Sequence, residues 1–171
     1  MLLGFVVASA GLAAIAVGVA PELATATKPD VAPTPAPAAL ASTARPIGGR
    51  KVAIPADPDG HYFTSAVVNG HTIDVIVDTG ATAVALTAES ARRLGFTLAP
   101  GDFTDPVSTA NGVIPAARVT LSEIRVGTIT VDNVAAIVVP GDALGVNLLG
   151  MTFLGRLSKF EIGGGQLVLT D

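Results

Sequence analysis

The chain has 171 residues, of which 50% are apolar and 14% are charged, and its formal net charge is −4. An apolar fraction this large excludes a disordered protein and is sufficient for a hydrophobic core. The mildly acidic balance predicts no nucleic-acid partner. The sequence contains no cysteine, which excludes disulfides, thiolate metal sites and a cysteine nucleophile. With only two histidines as well, we expect no metal site and no cofactor.

The first predicted element is an apolar segment over residues 1–21, which contains no charged side chain. A stretch of about 20 apolar residues can cross a bilayer as a helix, so the segment predicts a transmembrane anchor. A cleaved secretory signal is the alternative, because residues 24–26 are small, although no basic residue precedes the apolar run. A buried core helix is a third interpretation, but it would require polar positions on one face.

Residues 22–49 are predicted to form an extended linker. Six of the twelve prolines lie between positions 21 and 46. Proline removes a backbone donor and holds the chain extended, so this composition is typical of a semi-rigid spacer. The linker would lead into one folded domain over residues 50–171.

This domain is predicted to be all-β with one or two short helices. Asn69-Gly70 separates two strand-like runs, and both residues tolerate the positive φ of a tight hairpin turn. A helix is predicted over 87–95, because Thr87 can cap its start and Gly95 can end it. The predicted strands cover 62–68, 71–77, 117–121, 124–126, 128–131, 134–139, 157–162 and 166–170. Strands this short and frequent indicate a closed barrel or sandwich.

The most informative segment is 73–86, in which an apolar strand runs into Asp78-Thr79-Gly80 and a second apolar strand follows. A carboxylate at the end of a buried strand is costly unless it is hydrogen-bonded. Glycine lets the backbone turn tightly enough to aim amide groups at that carboxylate. An ordinary turn would also contain Asp and Gly, but the apolar flanks favour an acid at the floor of a cleft.

Three segments resemble the retropepsin-like aspartic proteases, and closely their membrane-anchored bacterial members. Residues 77–81, Val-Asp-Thr-Gly-Ala, are similar to the active-site loop of that family. Residues 108–112, Ser-Thr-Ala-Asn-Gly, resemble its flap hairpin. Residues 148–154 are similar to the segment that packs beside the loop and leads into a short helix. The order and separation of the three fit the family over residues 51–171.

The resemblance implies a single-lobe, closed retropepsin-like barrel and an aspartic endopeptidase that hydrolyses polypeptides as a homodimer. It also assigns residues to roles. Asp78 would be catalytic, with active-site support from Thr79, Gly80 and Ala81, flap contacts to substrate from Ala110, Asn111 and Gly112, and packing beside the site from Leu148, Leu149 and Gly150. An ordinary hairpin is the alternative for Asn111-Gly112, because such turns are common. A catalytically silent dimeric module that binds peptides is the alternative function.

The homodimer is expected because aspartic proteases need two carboxylates that share one proton. The chain contains a single Asp-Thr-Gly, at 78–80, and a domain of about 120 residues is one lobe. The second carboxylate would therefore come from Asp78 of another copy, placed by a two-fold axis. In the family the hydroxyl at the position of Thr79 bonds across that axis.

Three further expectations follow from the resemblance. The first is a bacterial inner-membrane protein with its domain in the periplasm, or a secreted or periplasmic form after signal cleavage. The second concerns Ala81, where two-lobed pepsins often carry a hydroxyl that favours the ionised carboxylate. Without that hydroxyl, activity is expected to extend towards neutral pH. Val84, Ile114 and Val139 are expected to line a pocket for apolar side chains.

Overall fold

The computed structural model describes residues 44–109 and 112–171. The predicted anchor over 1–21, most of the predicted linker, and the flap residues Ala110 and Asn111 lie outside these ranges. Within the described ranges, no helix has the length and apolar character needed to cross a membrane. The anchor therefore stays a prediction.

The described part of the chain is mostly β with two short α-helices, as the sequence predicts. The strands are β1 Arg45–Pro46, β2 Lys51–Pro55, β3 Phe63–Val68, β4 His71–Val77, β5 Val84–Thr87, β6 Asp105–Thr109, β7 Gly112–Val126, β8 Ile129–Val139, β9 Asn147–Leu149, β10 Lys159–Gly163 and β11 Gln166–Thr170. The helices are α1 Ala88–Arg93 and α2 Met151–Leu154, with a 3₁₀ turn at Pro100–Asp102.

The larger sheet closes on itself. Its order is β3-β4-β9-β5-β8-β7-β6, and β7 also pairs with β3 through Val67–Arg125 and Val68–Ile124. The predicted Asn69-Gly70 turn fixes this seam, since its φ values are 48° and 84°. The Asn69 side-chain oxygen accepts hydrogen bonds from the amides of Ser122 (2.8 Å) and Glu123 (3.3 Å) on β7. One turn residue thus shapes the hairpin and joins it to the other side of the barrel.

β7 and β8 are longer than predicted, and the breaks predicted near 122–123 and 132–133 are wrong. The two strands pair in one register from Ala117–Val138 to Val126–Ile129. The irregularity is local: Asn133 has φ 51°, and the Arg156 guanidinium donates to the carbonyl of Asp132 at 2.6 Å. Backbone groups of the polar residues that suggested turns form hydrogen bonds with the side chains of Asn69 and Arg156, so the strands continue.

β7 also changes its partner along its length. Its first five residues, Gly112–Ala116, pair with β6, and the rest pairs with β8. The hairpin of β6 and β7 therefore projects from the barrel as an extension of one of its own strands. This hairpin is the segment predicted to act as a flap.

A smaller sheet of four strands, in the order β1-β2-β11-β10, completes the core. Val52, Ile54, Leu167 and Leu169 from its central strands are fully buried and belong to the same cluster as the barrel interior. β2 lies outside the predicted strands, and β1 falls within the predicted linker, where Arg45–Pro46 pairs with β2.

The predicted helix after the Asp-Thr-Gly segment is confirmed as α1. The Thr87 hydroxyl oxygen accepts a hydrogen bond from the Ser90 amide at 3.1 Å, which satisfies one of the free amides of the first turn. Gly95 follows the helix with φ +87°, a conformation that side chains other than glycine rarely adopt.

The seam contact of Asn69 gives a test of the barrel closure. We expect Asn69→Ala to lower the free energy of unfolding by about 1–3 kcal/mol, because two strand amides lose their acceptor. Asn69→Asp keeps an acceptor and tolerates positive φ, so it should cost less than about 1 kcal/mol. Urea denaturation measures both; equal losses for the two variants would contradict this role of the side-chain oxygen.

Candidate active site

Asp78 is the first residue after β4 and stands at the start of a tight loop. Its carboxylate Oδ1 accepts a hydrogen bond from the Gly80 amide at 2.8 Å. Its own amide donates to the Leu149 carbonyl at 3.2 Å, and its carbonyl accepts from the Ala81 amide at 3.3 Å. The backbone turn therefore holds the half-buried carboxylate in one orientation, with an amide aimed at it.

Residues 150–152, directly after β9, pack against the other side of this loop. A Cβ placed on Gly150 would lie 2.2 Å from the Ala83 carbonyl oxygen and 2.7 Å from that of Ala81. The Met151 amide donates to the Ala81 carbonyl at 2.8 Å, and the Thr152 hydroxyl accepts from the Val84 amide at 2.9 Å. Only glycine allows the two backbones to approach this closely.

Asn147 joins β4 and β5 at positions further from Asp78, and no pattern in the sequence predicted this role. Its side-chain oxygen accepts from the Thr87 amide at 3.0 Å, and its side-chain nitrogen donates to the Asp74 carbonyl at 2.8 Å. The residue is only 6% exposed. It joins β4, which leads into the loop, to β5, which leaves it. The one sequence feature that could have indicated this role is the amide side chain of Asn147 directly before the apolar Leu-Leu-Gly run.

Asp78 opens onto a cleft with a volume of about 430 Å³. Its walls come from the loop, the β6–β7 hairpin, β8 and the segment after β8. The apolar side chains beyond the loop are Ala85, Val107, Ile114, Ile137, Val139, Ala143, Leu144 and Leu148. Among the described residues that line the cleft, Asp78 is the only one with an ionisable side chain.

Two of the three predicted pocket residues lie where they were expected. Ile114 and Val139 line the cleft, but Val84 is buried in the core at 2% exposure and is not part of the wall. Alternation along β5 explains the error, because Ala85 rather than Val84 faces the cleft. The same alternation on β8 would have identified Ile137 from Val139.

The β6–β7 hairpin stands at the cleft with its tip outside the described residues. Val107 pairs with Ile114, and the Thr109 hydroxyl donates to the Gly112 carbonyl at 2.8 Å. Gly112 has φ +108°. The hairpin is built as the sequence predicts, while the roles of Ala110, Asn111 and Gly112 at its tip stay predictions.

Four other aspartates, none of them followed by Thr-Gly, lie elsewhere. Asp74 accepts a hydrogen bond from Ser65 at 2.9 Å, and Asp105 pairs with Arg118 at 2.8 Å. Asp102 accepts from the Ala99 amide at 2.7 Å. Asp142 lines, together with Asp74, a second cavity of about 540 Å³. Within the described ranges none of the four lines the cleft, so Asp78 has no second carboxylate there.

One cluster has the composition of metal ligands. Ligand atoms of Asp57, Asp59 and His61 lie within 4.8 Å of one another on the surface. Asp57 Oδ1 already accepts hydrogen bonds from the backbone amides of Asp59 (3.0 Å) and His61 (2.7 Å). These bonds shape the turn, and the cluster gives no reason to infer a metal.

Comparison with known proteins matches this geometry to one family. The family model described as "gag-polyprotein putative aspartyl protease" matches residues 64–156, from β3 to the end of α2. The chain belongs to the retropepsin-like aspartic protease family. The crystal structure of a retropepsin-like aspartic protease from Rickettsia conorii is 39% identical, with a TM-score of 0.63 over 70% of this chain and 89% of that chain. The predicted resemblance to the retropepsin-like proteases and the retropepsin-like fold are confirmed, while the membrane-anchored type stays a prediction.

A second solved structure shares the fold, and two uncharacterized proteins are similar in sequence. The EIAV protease complexed with the inhibitor HBY-793 shares the fold, with a TM-score of 0.51 at 18% identity over 63% of this chain and 97% of that chain. An uncharacterized protein in the cobV 5′ region of a Sinorhizobium species is 40% identical over 72% of this chain, and an uncharacterized protein of Rickettsia prowazekii is 40% identical over 65%. The chain spans about half the length of these two relatives, 53% and 47%.

The close approach of Gly150 to the loop of this retropepsin-like chain can be tested directly. We expect Gly150→Ala to lower the free energy of unfolding by about 3 kcal/mol or more, since its Cβ would overlap two backbone oxygens. Gly101→Ala is the matched control. No atom lies within 4 Å of a Cβ there, so its effect should stay within about 0.5 kcal/mol. Similar denaturation midpoints for the two variants would contradict the close packing.

Proposed function

We propose that the chain is an aspartic endopeptidase that acts as a homodimer, with Asp78 supplied by each copy. The observation that carries the proposal is a cleft whose described lining contains a single ionisable group, a carboxylate oriented by a backbone amide. Membership of the retropepsin-like family supports the same reaction. One carboxylate is half of the required pair, and a two-fold axis beside Asp78 would supply the other half.

The reaction would use the two carboxylates in different protonation states. Two carboxyl groups about 3 Å apart cannot both ionise, so the pair holds one proton. The ionised group takes a proton from a water molecule, whose oxygen forms a bond to the scissile carbonyl carbon. The protonated group donates to the carbonyl oxygen. Collapse of the tetrahedral intermediate breaks the C–N bond, and a proton passes to the leaving nitrogen.

The cleft supports an extended, apolar peptide as substrate. Its walls beyond the loop present aliphatic side chains, and four alanines, at 81, 83, 85 and 143, leave room between them. Ser108 and Thr109 bring polar groups from the β6–β7 hairpin to the same cleft. A strand edge beside an apolar trough is suited to hold a peptide main chain in an extended form. We therefore propose cleavage beside bulky apolar side chains.

Substitution of Asp78 tests the proposed chemistry. Asp78→Asn should lower kcat/KM on a peptide mixture by about a hundredfold or more, because the pair can no longer hold both protonation states. Asp74→Asn is the matched control, since Asp74 bonds to Ser65 outside the cleft, and it should leave cleavage unchanged. Peptide binding without cleavage by the wild-type chain would instead favour the silent binding module.

The side chain at position 81 gives a test by pH. Ala81 lines the cleft beside Asp78 and has no hydroxyl group to donate to the carboxylate pair. We expect Ala81→Ser to shift the acidic limb of the pH–kcat/KM profile to lower pH, since a donor favours the ionised form. Ala83→Ser, which also alters the cleft wall, should leave that limb in place. A wild-type profile peaking below about pH 3 would contradict the proposed role of Ala81.

A further inference from the structure

A small apolar pocket, with a volume of about 230 Å³, lies on the other side of β8 from the cleft. Val138 lines this pocket, whereas Ile137 and Val139 line the cleft, because side chains alternate along the strand. Among the described residues, the pocket and the cleft share no lining residue. The apolar pocket is therefore separate from the site around Asp78.

The lining of the apolar pocket suits one apolar side chain. Ala91 and Val138 are buried, at 2% and 1% exposure. Phe96, Leu98 and Phe103 line the same pocket, are half-buried and pack against the core. An apolar group placed there would leave water and contact the core, which is favourable. Pockets for whole small-molecule ligands usually measure about 300–1,000 Å³, so this one has room for a single side chain.

Arg92, in the last turn of α1, borders this pocket. It is the only residue with an ionisable side chain in the described lining of the pocket. Its guanidinium group is exposed and forms no hydrogen bond or ion pair with any residue that the structure describes. The neighbouring Arg93 instead donates to the Thr72 carbonyl at 3.5 Å. A guanidinium group without a partner is suited to bind a carboxylate through two parallel hydrogen bonds.

The apolar pocket opens into the polar cavity of about 540 Å³ that was described with Asp74. Ala88, Arg92 and Gly141 line both, so the two meet at Arg92. Ser90 lines the polar cavity and is only 6% exposed. Its hydroxyl group forms no hydrogen bond with the described part of the chain. A polar group this deeply buried usually has a partner, so a ligand in the cavity would supply one.

The charges around the two spaces are not evenly distributed. Asp74, Glu89 and Asp142 line the polar cavity, and none of them lines the apolar pocket. A carboxylate on a ligand would be repelled from these three and attracted to Arg92 at the junction. Main-chain amides of the ligand would find acceptors among the same three carboxylates. The site therefore favours a ligand whose negative charge lies at its apolar end and whose remainder offers N–H donors.

We propose that the pocket and the cavity together bind the C-terminal residue of a polypeptide, with its apolar side chain in the pocket and its carboxylate at Arg92. A C-terminal residue carries both groups on one Cα, which matches a guanidinium group at the border of an apolar pocket. An acidic residue next to the apolar one would point to the opposite side of an extended peptide. The residues before the end would lie in the polar cavity beside Ser90.

This binding does not require the chain to cleave peptides, so it goes beyond the proposed function. Only the source of the ligand rests on that function. Cleavage after a bulky apolar residue releases a fragment that ends in this residue and a free carboxylate. One product of the proposed reaction would then bind on the far side of β8 from the cleft.

The test measures binding of N-acetyl-Ala-Ala-Leu by NMR titration of the full-length chain with Asp78→Asn, so that no probe is consumed. Arg92→Gln should raise the dissociation constant about tenfold or more. Arg93→Gln is the matched control, because it removes the same charge one residue away and does not line the apolar pocket. Its effect should stay within about twofold. No binding, or equal effects of the two variants, would overturn the inference.

Changes in the probe separate the two recognised groups. The C-terminal amide of the same peptide lacks the charge, and N-acetyl-Ala-Ala-Ser lacks the apolar side chain. Each should bind about tenfold more weakly or worse. N-acetyl-Ala-Leu-Asp amide carries its carboxylate on the side chain of the next residue and should bind as weakly as the amide. If it binds as tightly as the first probe, the site recognises internal acidic residues and the inference is wrong.

The resonances that shift locate the probe and keep the two proposals apart. The largest changes should occur at Phe96, Leu98 and Phe103; changes confined to Ile114 and Val139 would place the probe in the cleft and overturn the inference. Binding that needs Arg92 in a chain without peptidase activity would leave this site standing and remove the protease. Cleavage by the wild-type chain, with probe binding that ignores Arg92→Gln, would do the reverse.

Discussion

The close backbone contact between Gly150 and the loop after Asp78 is the constraint on which the site depends. The loop leaves β4, turns, and continues into β5, and both strands are neighbours of the three-residue β9. A side chain at Gly150 would occupy the space of the Ala81 and Ala83 carbonyls. Because the loop is packed backbone to backbone, the direction of the Asp78 carboxylate is set by main-chain geometry and not by a flexible side-chain network.

The polar groups around this contact have complementary functions. Gly80 aims its amide at the carboxylate, while Thr152 and Asn147 satisfy the amides of Val84 and Thr87 after the loop. Each bond lies at a different point between the end of β4 and the end of β5. Buried amides must find acceptors, and the acceptors for the amides of Val84 and Thr87 come from the segment 147–152. The catalytic candidate and the segment that supports it are therefore one structural unit, although about 70 residues separate them in sequence.

Local features of the sequence predicted much of this structure. The Asn69-Gly70 turn, the capped helix α1 and the strand leading into Asp78 each follow from short-range patterns, because φ preferences and side-chain caps act within a few residues. The continuous strands β7 and β8 could not be predicted in this way, since side chains from distant residues, Asn69 and Arg156, satisfy their irregular positions. The same limit applies to Asn147, whose two partners lie on other strands. Ala85 could have been predicted from alternation, had the register of β5 been known.

The change of partner along β7 has a mechanical consequence. Gly112–Ala116 belongs to the hairpin at the cleft, whereas the residues from Ala117 onward are held by β8 and, near Ile124, by β3. The hairpin therefore contains the part of β7 that pairs only with β6, whereas the rest of β7 pairs with β8 in the barrel wall. Any movement of the β6–β7 hairpin would have to bend the backbone near Ala116 and Ala117, which are small and buried. Because Ala116 and Ala117 join the hairpin to the core, the same two residues affect both the position of the hairpin and the stability of the barrel.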